Sequence, residues 1–195
     1  MKLNRSRGSG MQLMTGDPKK VKALDQNDKV IYVDDPELGT PTDSLDVDML
    51  KRGISMAESL GGLLMMNPES SATGMYGQLF GEIKDMPFME GVTREQFAND
   101  PDMQEAVFNM RLEKGIGGPS LRRNAVELTK EYQDQLGDKW DYSLNDVAAL
   151  SNYLGRQGAR NYFASIRDNT SYTPPGNNLP PEEYLDKFRR GMRPQ

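Results

Sequence analysis

Between about residues 44 and 168, apolar side chains recur at three- and four-residue steps in a succession of short runs, and each run carries its own start or stop signal. Val47, Leu50, Ile54 and Ala57 fall on one face of a helix that Gly61-Gly62 closes. Thr93, with Gln96 three residues on, makes a capping box. Asp100-Pro101 supplies an N-cap and a proline suited to the first helical position, with Met103, Ala106, Val107 and Met110 as the expected buried stripe of the helix that follows. Leu121 to Leu136 carries Ala125, Leu128, Tyr132 and Leu136 at helical spacing and ends at Gly137. Ser143 caps a helix from Leu144 to Leu154 that Gly155 terminates, and a last piece runs from Ala159 to about Ile166. Strand signals are scarce across this stretch, so the expected fold class is mainly α.

The flanks differ. Residues 1–43 are rich in Gly, Asp, Lys, Asn and Pro, with turn signals at Thr15-Gly16-Asp17-Pro18, Asp35-Pro36 and Gly39-Thr40-Pro41 and one strand-like run, Lys29 to Val33. This region reads as an extended N-terminal arm that cannot bury a core by itself. Residues 169–195 read as a linker followed by a short helix opened by Pro180-Pro181-Glu182-Glu183 and carrying Tyr184, Leu185 and Phe188. So brief a helix is unstable alone and is expected to dock on the domain or on a neighbour. The expected domains are therefore 1–43, 44–168 and 169–195.

Composition removes several kinds of chemistry. The 195 residues include no Cys and no His, which excludes a disulfide framework, a thiol nucleophile, a Ser-His-Asp triad and the usual zinc sites. Catalysis would have to rest on carboxylates, hydroxyls, Lys or Tyr. The 24 basic and 29 acidic side chains are interspersed, so nucleic acid is not expected as a main partner. The longest apolar stretch, Leu60 to Met66, contains two glycines and is too short for a transmembrane segment; the N-terminus does not lead into a secretory apolar region.

The carboxylate whose setting stands out is Glu58. It ends the first helix, faces the negative end of that helix dipole, and is followed by Ser59, Leu60, Gly61 and Gly62. Desolvation there would raise its pKa and suit it to donate a proton near neutral pH. The plainer reading is a solvated carboxylate in a last turn. Glu69, in a Pro-Glu-Ser-Ser turn, is a second acid close by in sequence.

The stretch Ile54-Ser55-Met56-Ala57-Glu58-Ser59, followed by Ser70-Ser71-Ala72-Thr73-Gly74-Met75-Tyr76-Gly77-Gln78-Leu79-Phe80, resembles the catalytic motif of lytic transglycosylases of the lysozyme-like superfamily, most of all those carried by phage particles. Two further blocks are similar to family elements in the same order: Thr93 to Glu105, with its Phe97, Asp100-Pro101 and Met103-Gln104-Glu105, and Ala148 to Phe163, with Tyr153-Leu154-Gly155 and Gly158-Ala159. Gly77, interposed between Tyr76 and Gln78, departs from the common pattern.

The resemblance implies a lysozyme-like domain with Glu58 as the single acid/base. It implies substrate-binding roles for Ser59, Ser71, Thr73, Gly74, Tyr76, Gln78 and Tyr153, with no metal and no cofactor. Ser71 or Thr73 would offer a hydroxyl, Gly74 would let the backbone approach the sugar, and Tyr76 would line the sugar site or pack in the core. Tyr153 would hydrogen-bond the catalytic carboxyl or the substrate acetamido group. The expected function is a virion-associated enzyme that cleaves peptidoglycan glycan strands at the MurNAc-GlcNAc bond during genome entry, acting at the host cell wall and fastened to other virion proteins by its terminal arms. The rival expectation is a structural tail, adaptor or internal virion protein with an inactive lysozyme-like fold.

Overall fold

The computed structural model describes residues 20–24, 30–34, 44–62, 65–67, 71–176 and 179–192. The chain divides into two compact units, residues 1–47 and 48–195. In the first, β1 (Lys20–Leu24) pairs antiparallel with β2 (Val30–Asp34), Lys20 opposite Asp34 and Leu24 opposite Val30. The run Lys29 to Val33 thus marks a real strand. Its partner β1 was not foreseen, because Lys-Val-Lys-Ala-Leu lacks the β-branched and aromatic density by which a strand is recognised.

The second unit is mainly helical. Its elements are α1 (Val47–Ser59), a small hairpin of β3 (Ala72–Thr73) and β4 (Gln78–Leu79), α2 (Phe80–Ile83), α3 (Arg94–Ala98), α4 (Pro101–Glu113), α5 (Leu121–Leu136), α6 (Leu144–Arg167) and α7 (Pro181–Met192). Local chemistry fixes most of the boundaries. Thr93 and Gln96 form the reciprocal capping box of α3, Asp100 accepts the Met103 N–H at the start of α4, and Gly137 closes α5 with φ +52°. Gly155 breaks helical geometry as expected (φ +68°, ψ 167°), so α6 consists of two helical segments that meet at this residue, the second continuing to Arg167. The hairpin β3–β4 was not expected, since two-residue strands leave no period to read.

The core has two centres. Ala125, Leu128, Tyr132 and Leu136 of α5 are buried as their spacing predicts, and α5 packs along α6, with the Tyr132 and Phe163 rings 5.6 Å apart. Ile83, Met89, Phe97 and Val107 form a second cluster beneath the hairpin side of the unit. In α4 the buried face is turned by one position from the expected stripe: Gln104, Val107, Phe108 and Leu112 are buried, and Ala106 is exposed. A buried glutamine is invisible to hydrophobic periodicity, and Gln104 goes inside because its amide finds backbone partners there.

The terminal helix docks on its own unit. Tyr184, Leu185 and Phe188 are buried, Arg189 donates to Asp146 Oδ1 at 2.8 Å, and Phe188 seats against Gly53 of α1. Residues 179–192 therefore complete the helical unit, the docking expected of so short a helix. Arg122 and Arg189 are ion-paired with Glu113 and Asp146. Met66 is 44% exposed. No helix among the described residues is long and apolar enough to cross a membrane.

Candidate functional site

Glu58 is the penultimate residue of α1, and the chain turns sharply after it. Leu60, Gly61 and Gly62 all have positive φ, and the Gly61 N–H reaches back to the Ser55 carbonyl at 3.1 Å. Leu60 bears a left-handed conformation without being glycine, which costs roughly 1–2 kcal/mol. Ser59 secures this turn. It is wholly buried, its hydroxyl lies 2.9 Å from the Ser55 carbonyl and 3.0 Å from the Met75 carbonyl, and it accepts the Gly62 N–H at 2.9 Å. The end of α1 is thereby tied to the hairpin turn.

The Glu58 side chain is part-buried, and Oε1 accepts the Tyr184 O–H of α7 at 3.0 Å. On its other side the carboxyl lies against Gly77: a Cβ on that residue would stand 2.5 Å from Oε2. Burial is the largest influence on the acid and pushes its pKa up to about 7, opposed by the Tyr184 hydrogen bond and by the positive charge of Arg111. A carboxyl so placed can donate a proton near neutrality and take one back.

Tyr184 is itself held on two sides. Its ring stacks on Tyr153 of α6, centroids 4.1 Å apart and planes 6° from parallel, and its hydroxyl is engaged by Glu58 Oε1. Burial drives the Tyr184 phenol well above its ordinary range, so it stays protonated and donates. Tyr153 directs its own hydroxyl to the Leu179 carbonyl at 2.9 Å. The tyrosine that bonds the carboxyl is therefore Tyr184, not Tyr153, whose ring backs it.

The other expected site residues form the frame of the hairpin. Residues 74–77 turn between β3 and β4, with Gly74 at φ +80° and Gly77 at φ +60°. Gly74 makes room for Gln104, whose amide would lie 2.8 Å from a Cβ there, so its close approach is to protein and not to a sugar. Gln104 is a buried bolt: Oε1 accepts the Met75 N–H at 2.8 Å, and Nε2 donates to the Phe97 and Ala98 carbonyls. Tyr76 is core, with its ring 4.3 Å from Phe108 and its hydroxyl donating to Glu105 Oε2 at 2.6 Å, while Lys51 pairs with the same carboxylate.

Thr73 is buried between the Ser71 carbonyl and Arg94, which also holds the Asn67 and Ala72 carbonyls. Gln78 is fully buried, and its Nε2 donates to the Gln104 carbonyl at 3.3 Å. Of the seven residues expected to meet substrate, Ser71 is the one that is exposed. Ser59, Thr73, Gly74, Tyr76 and Gln78 have their contacts within the protein, and they hold the hairpin against the end of α1. Glu69, the second acid, lies outside the described residues.

Sequence reasoning thus singled out Glu58 and the residues that prove to form the hairpin, without foreseeing the hairpin itself, and missed the roles of Tyr184, Gln104 and Glu105. Gln104 and Glu105 were flagged within the second block of resemblance, and the structure gives that pair a reason: one clamps the Met75 N–H, the other the Tyr76 hydroxyl. Among the described residues, no group of three or more acidic side chains is arranged to hold a metal ion.

The close fit at Gly77 makes a test of the geometry. Gly77→Ala adds one methyl against the carboxyl and a side chain at positive φ, and is expected to destabilise the protein by about 1–3 kcal/mol and to move the Glu58 titration. Chemical denaturation with a carboxyl-resolved NMR titration checks both, and an unchanged titration would place the Glu58 carboxyl elsewhere.

No family model matches the chain, and neither the curated proteins nor the solved structures give a match.

Proposed function

We propose that the helical unit is a peptidoglycan lytic transglycosylase in which Glu58 alone serves as acid and then as base. The observation that carries the proposal is the setting of Glu58: a carboxyl at a helix end, desolvated, hydrogen-bonded by one phenol and poised near neutrality. A carboxylate serving only as surface charge gains nothing from such burial, so this setting favours an enzyme over the architectural alternative. Peptidoglycan glycan as the substrate, a phage particle as the vehicle and virion proteins as neighbours rest on the motif resemblance.

The chemistry needs one carboxyl. Protonated Glu58 gives its proton to the glycosidic oxygen between N-acetylmuramic acid and N-acetylglucosamine, and the bond from that oxygen to the muramyl C1 breaks. The resulting carboxylate takes the proton from the muramyl C6 hydroxyl, whose oxygen bonds to C1 and closes a 1,6-anhydro ring. Glu58 ends protonated as it began, and no water is consumed. A hydrolase of the lysozyme kind would ordinarily need a second carboxylate across the bond. Tyr184 supports both halves by fixing the carboxyl and by donating to it when it is charged.

Mass spectrometry of glycan ends after digestion with the full chain tests the reaction. Anhydro-muramyl ends are expected; reducing muramyl ends would replace the transglycosylase with a hydrolase, and intact glycan would leave the architectural reading. The first step requires the protonated acid, so kcat/KM is expected to fall about tenfold per pH unit above about 7. In Tyr184→Phe the carboxylate loses its donor, Glu58 titrates higher, and that alkaline limb moves up by about one unit. A limb that stays in place would remove Tyr184 from the mechanism.

A further inference from the structure

Lys51 and Glu58 lie two helical turns apart on α1, so both project from the same face. Lys51 pairs with Glu105 Oε1 of α4, and the Tyr76 hydroxyl donates to Glu105 Oε2 at 2.6 Å. The residue after Tyr76 is Gly77, which abuts the Glu58 carboxyl. These contacts close a ring: from α1 at Lys51 to α4, from α4 to the hairpin turn, and from the turn back to α1 at Glu58.

Glu105 is the member of this ring whose presence needs a reason. It is half-buried, and Tyr76 already packs its ring on Phe108, centroids 4.3 Å apart. Partial burial works against the charge of Glu105, but the hydrogen bonds of Lys51 and Tyr76 outweigh it and hold the carboxyl below its ordinary range. Glu105 therefore stays ionised where Glu58 titrates. Burial and the Glu105 bond push the Tyr76 phenol up, so it remains a donor throughout. A charge-assisted bond of this kind is about twice as strong as a neutral one, and it acts on residue 76. Met75 is tied on the other side, its N–H to Gln104 and its carbonyl to Ser59. Gly77 has no side chain with which to hold itself, so its distance from Glu58 is set by these neighbours.

We propose that Glu105 is a positioning residue for Glu58: tethered to α1 by Lys51, it fixes Tyr76 and so keeps Gly77 closed over the carboxyl of the acid. The closure concerns Glu58 itself; its value in catalysis rests on the transglycosylase reading. The other titratable groups around Glu58 are Tyr184 of α7, Tyr153 of α6 and Arg111 of α4, and none of them is a member of the ring.

The test uses the full chain with carbon-13-labelled glutamate and compares wild type, Tyr76→Phe and Lys51→Met. The phenylalanine keeps its ring on Phe108, changes no charge at neutral pH and removes the bond to Glu105. With the turn loosened, water reaches the carboxyl, and Glu58 is expected to titrate about one unit lower. The alkaline limb of glycan release should move down with it, leaving kcat/KM about fivefold lower at pH 7. A role in stability alone would lower the unfolding midpoint and leave the titration of the folded protein in place. Lys51→Met keeps the aliphatic stem and frees Glu105 from α1. Loss of a positive charge would by its field alone raise the Glu58 pKa, so a fall identifies the route through the turn. This variant carries the test if Tyr76→Phe fails to fold.

A Glu58 titration unmoved in Tyr76→Phe, or unmoved or raised in Lys51→Met, overturns the role of Glu105. If the variants titrate lower and wild type releases no glycan fragments, the transglycosylase reading falls and the positioning of Glu58 stands. If wild type cleaves through Glu58 and neither titration falls, the positioning role falls alone.

Discussion

Glu58→Gln is expected to lose about 10²–10⁴-fold in peptidoglycan cleavage, the range that a positioned general acid contributes, and at the same time to yield a more stable protein above neutral pH. The second half follows from linkage. The folded-state pKa of Glu58 is raised from 4.5 to about 7, so between those values the native protein keeps a proton that the unfolded chain releases. Stability therefore falls as pH rises through that window, and the cost is complete above about 7. Its size is on the order of 3 kcal/mol.

Glutamine keeps an oxygen to accept the Tyr184 O–H and has no charge to desolvate, so the variant escapes this pH dependence. Glycan-release assays and urea denaturation at pH 5 and pH 8 measure the two effects together. A variant that still cleaves would remove Glu58 as the acid, and one that is no more stable at pH 8 than wild type would show its carboxyl to be well solvated. The paired outcome also separates the candidate site from an ordinary buried ion pair, where losing the charge would leave a partner stranded.

The second large effect is expected far from the acid in sequence, at Gly53. This residue is buried on α1, and a Cβ there would stand 2.5 Å from Phe188 Cδ2 and 2.9 Å from the Phe188 carbonyl oxygen. Phe188 cannot retreat without moving α7, because its backbone is part of the obstruction. Gly191 is close in the same way, with a Cβ 2.5 Å from Met56 Cβ, so the two helices meet at both places through glycine. Gly53→Ala is expected to cost about 1–3 kcal/mol, less the modest gain in helix propensity that alanine brings.

The functional consequence exceeds the stability loss, because α7 carries Tyr184. Lifting the helix takes the phenol from Glu58 and lets water reach the carboxyl, so the Glu58 pKa should drop toward the ordinary carboxylate value and cleavage near neutral pH should fall with it. Hydrogen exchange across residues 181–192, read beside the Glu58 titration, checks this. Faster exchange in α7 with an unchanged Glu58 would break the proposed link between the terminal helix and the acid. Faster exchange throughout the unit would point to general destabilisation.

What the sequence alone determined was local. Capping at Thr93, Asp100 and Ser143, the glycine stops at Gly61 and Gly137, and the apolar face of the terminal helix are each set by hydrogen bonds or spacings that close within a few residues. The mainly helical class and most helix limits follow from them. The same locality made Glu58 conspicuous, as an acid at the end of an apolar helix. Tertiary structure decided which groups surround it. Glu58 and Tyr184 are 126 positions apart, so no pattern within a helix or a turn relates them. In the sequence Tyr184 is one more apolar-face residue, and its hydroxyl becomes a partner for the acid only when Phe188 seats on Gly53. Gln104 shows the same dependence from the other side. Its polarity predicts a solvent-facing position, and it is buried because carbonyls of Phe97 and Ala98 and the N–H of Met75 converge on its amide only in the folded chain.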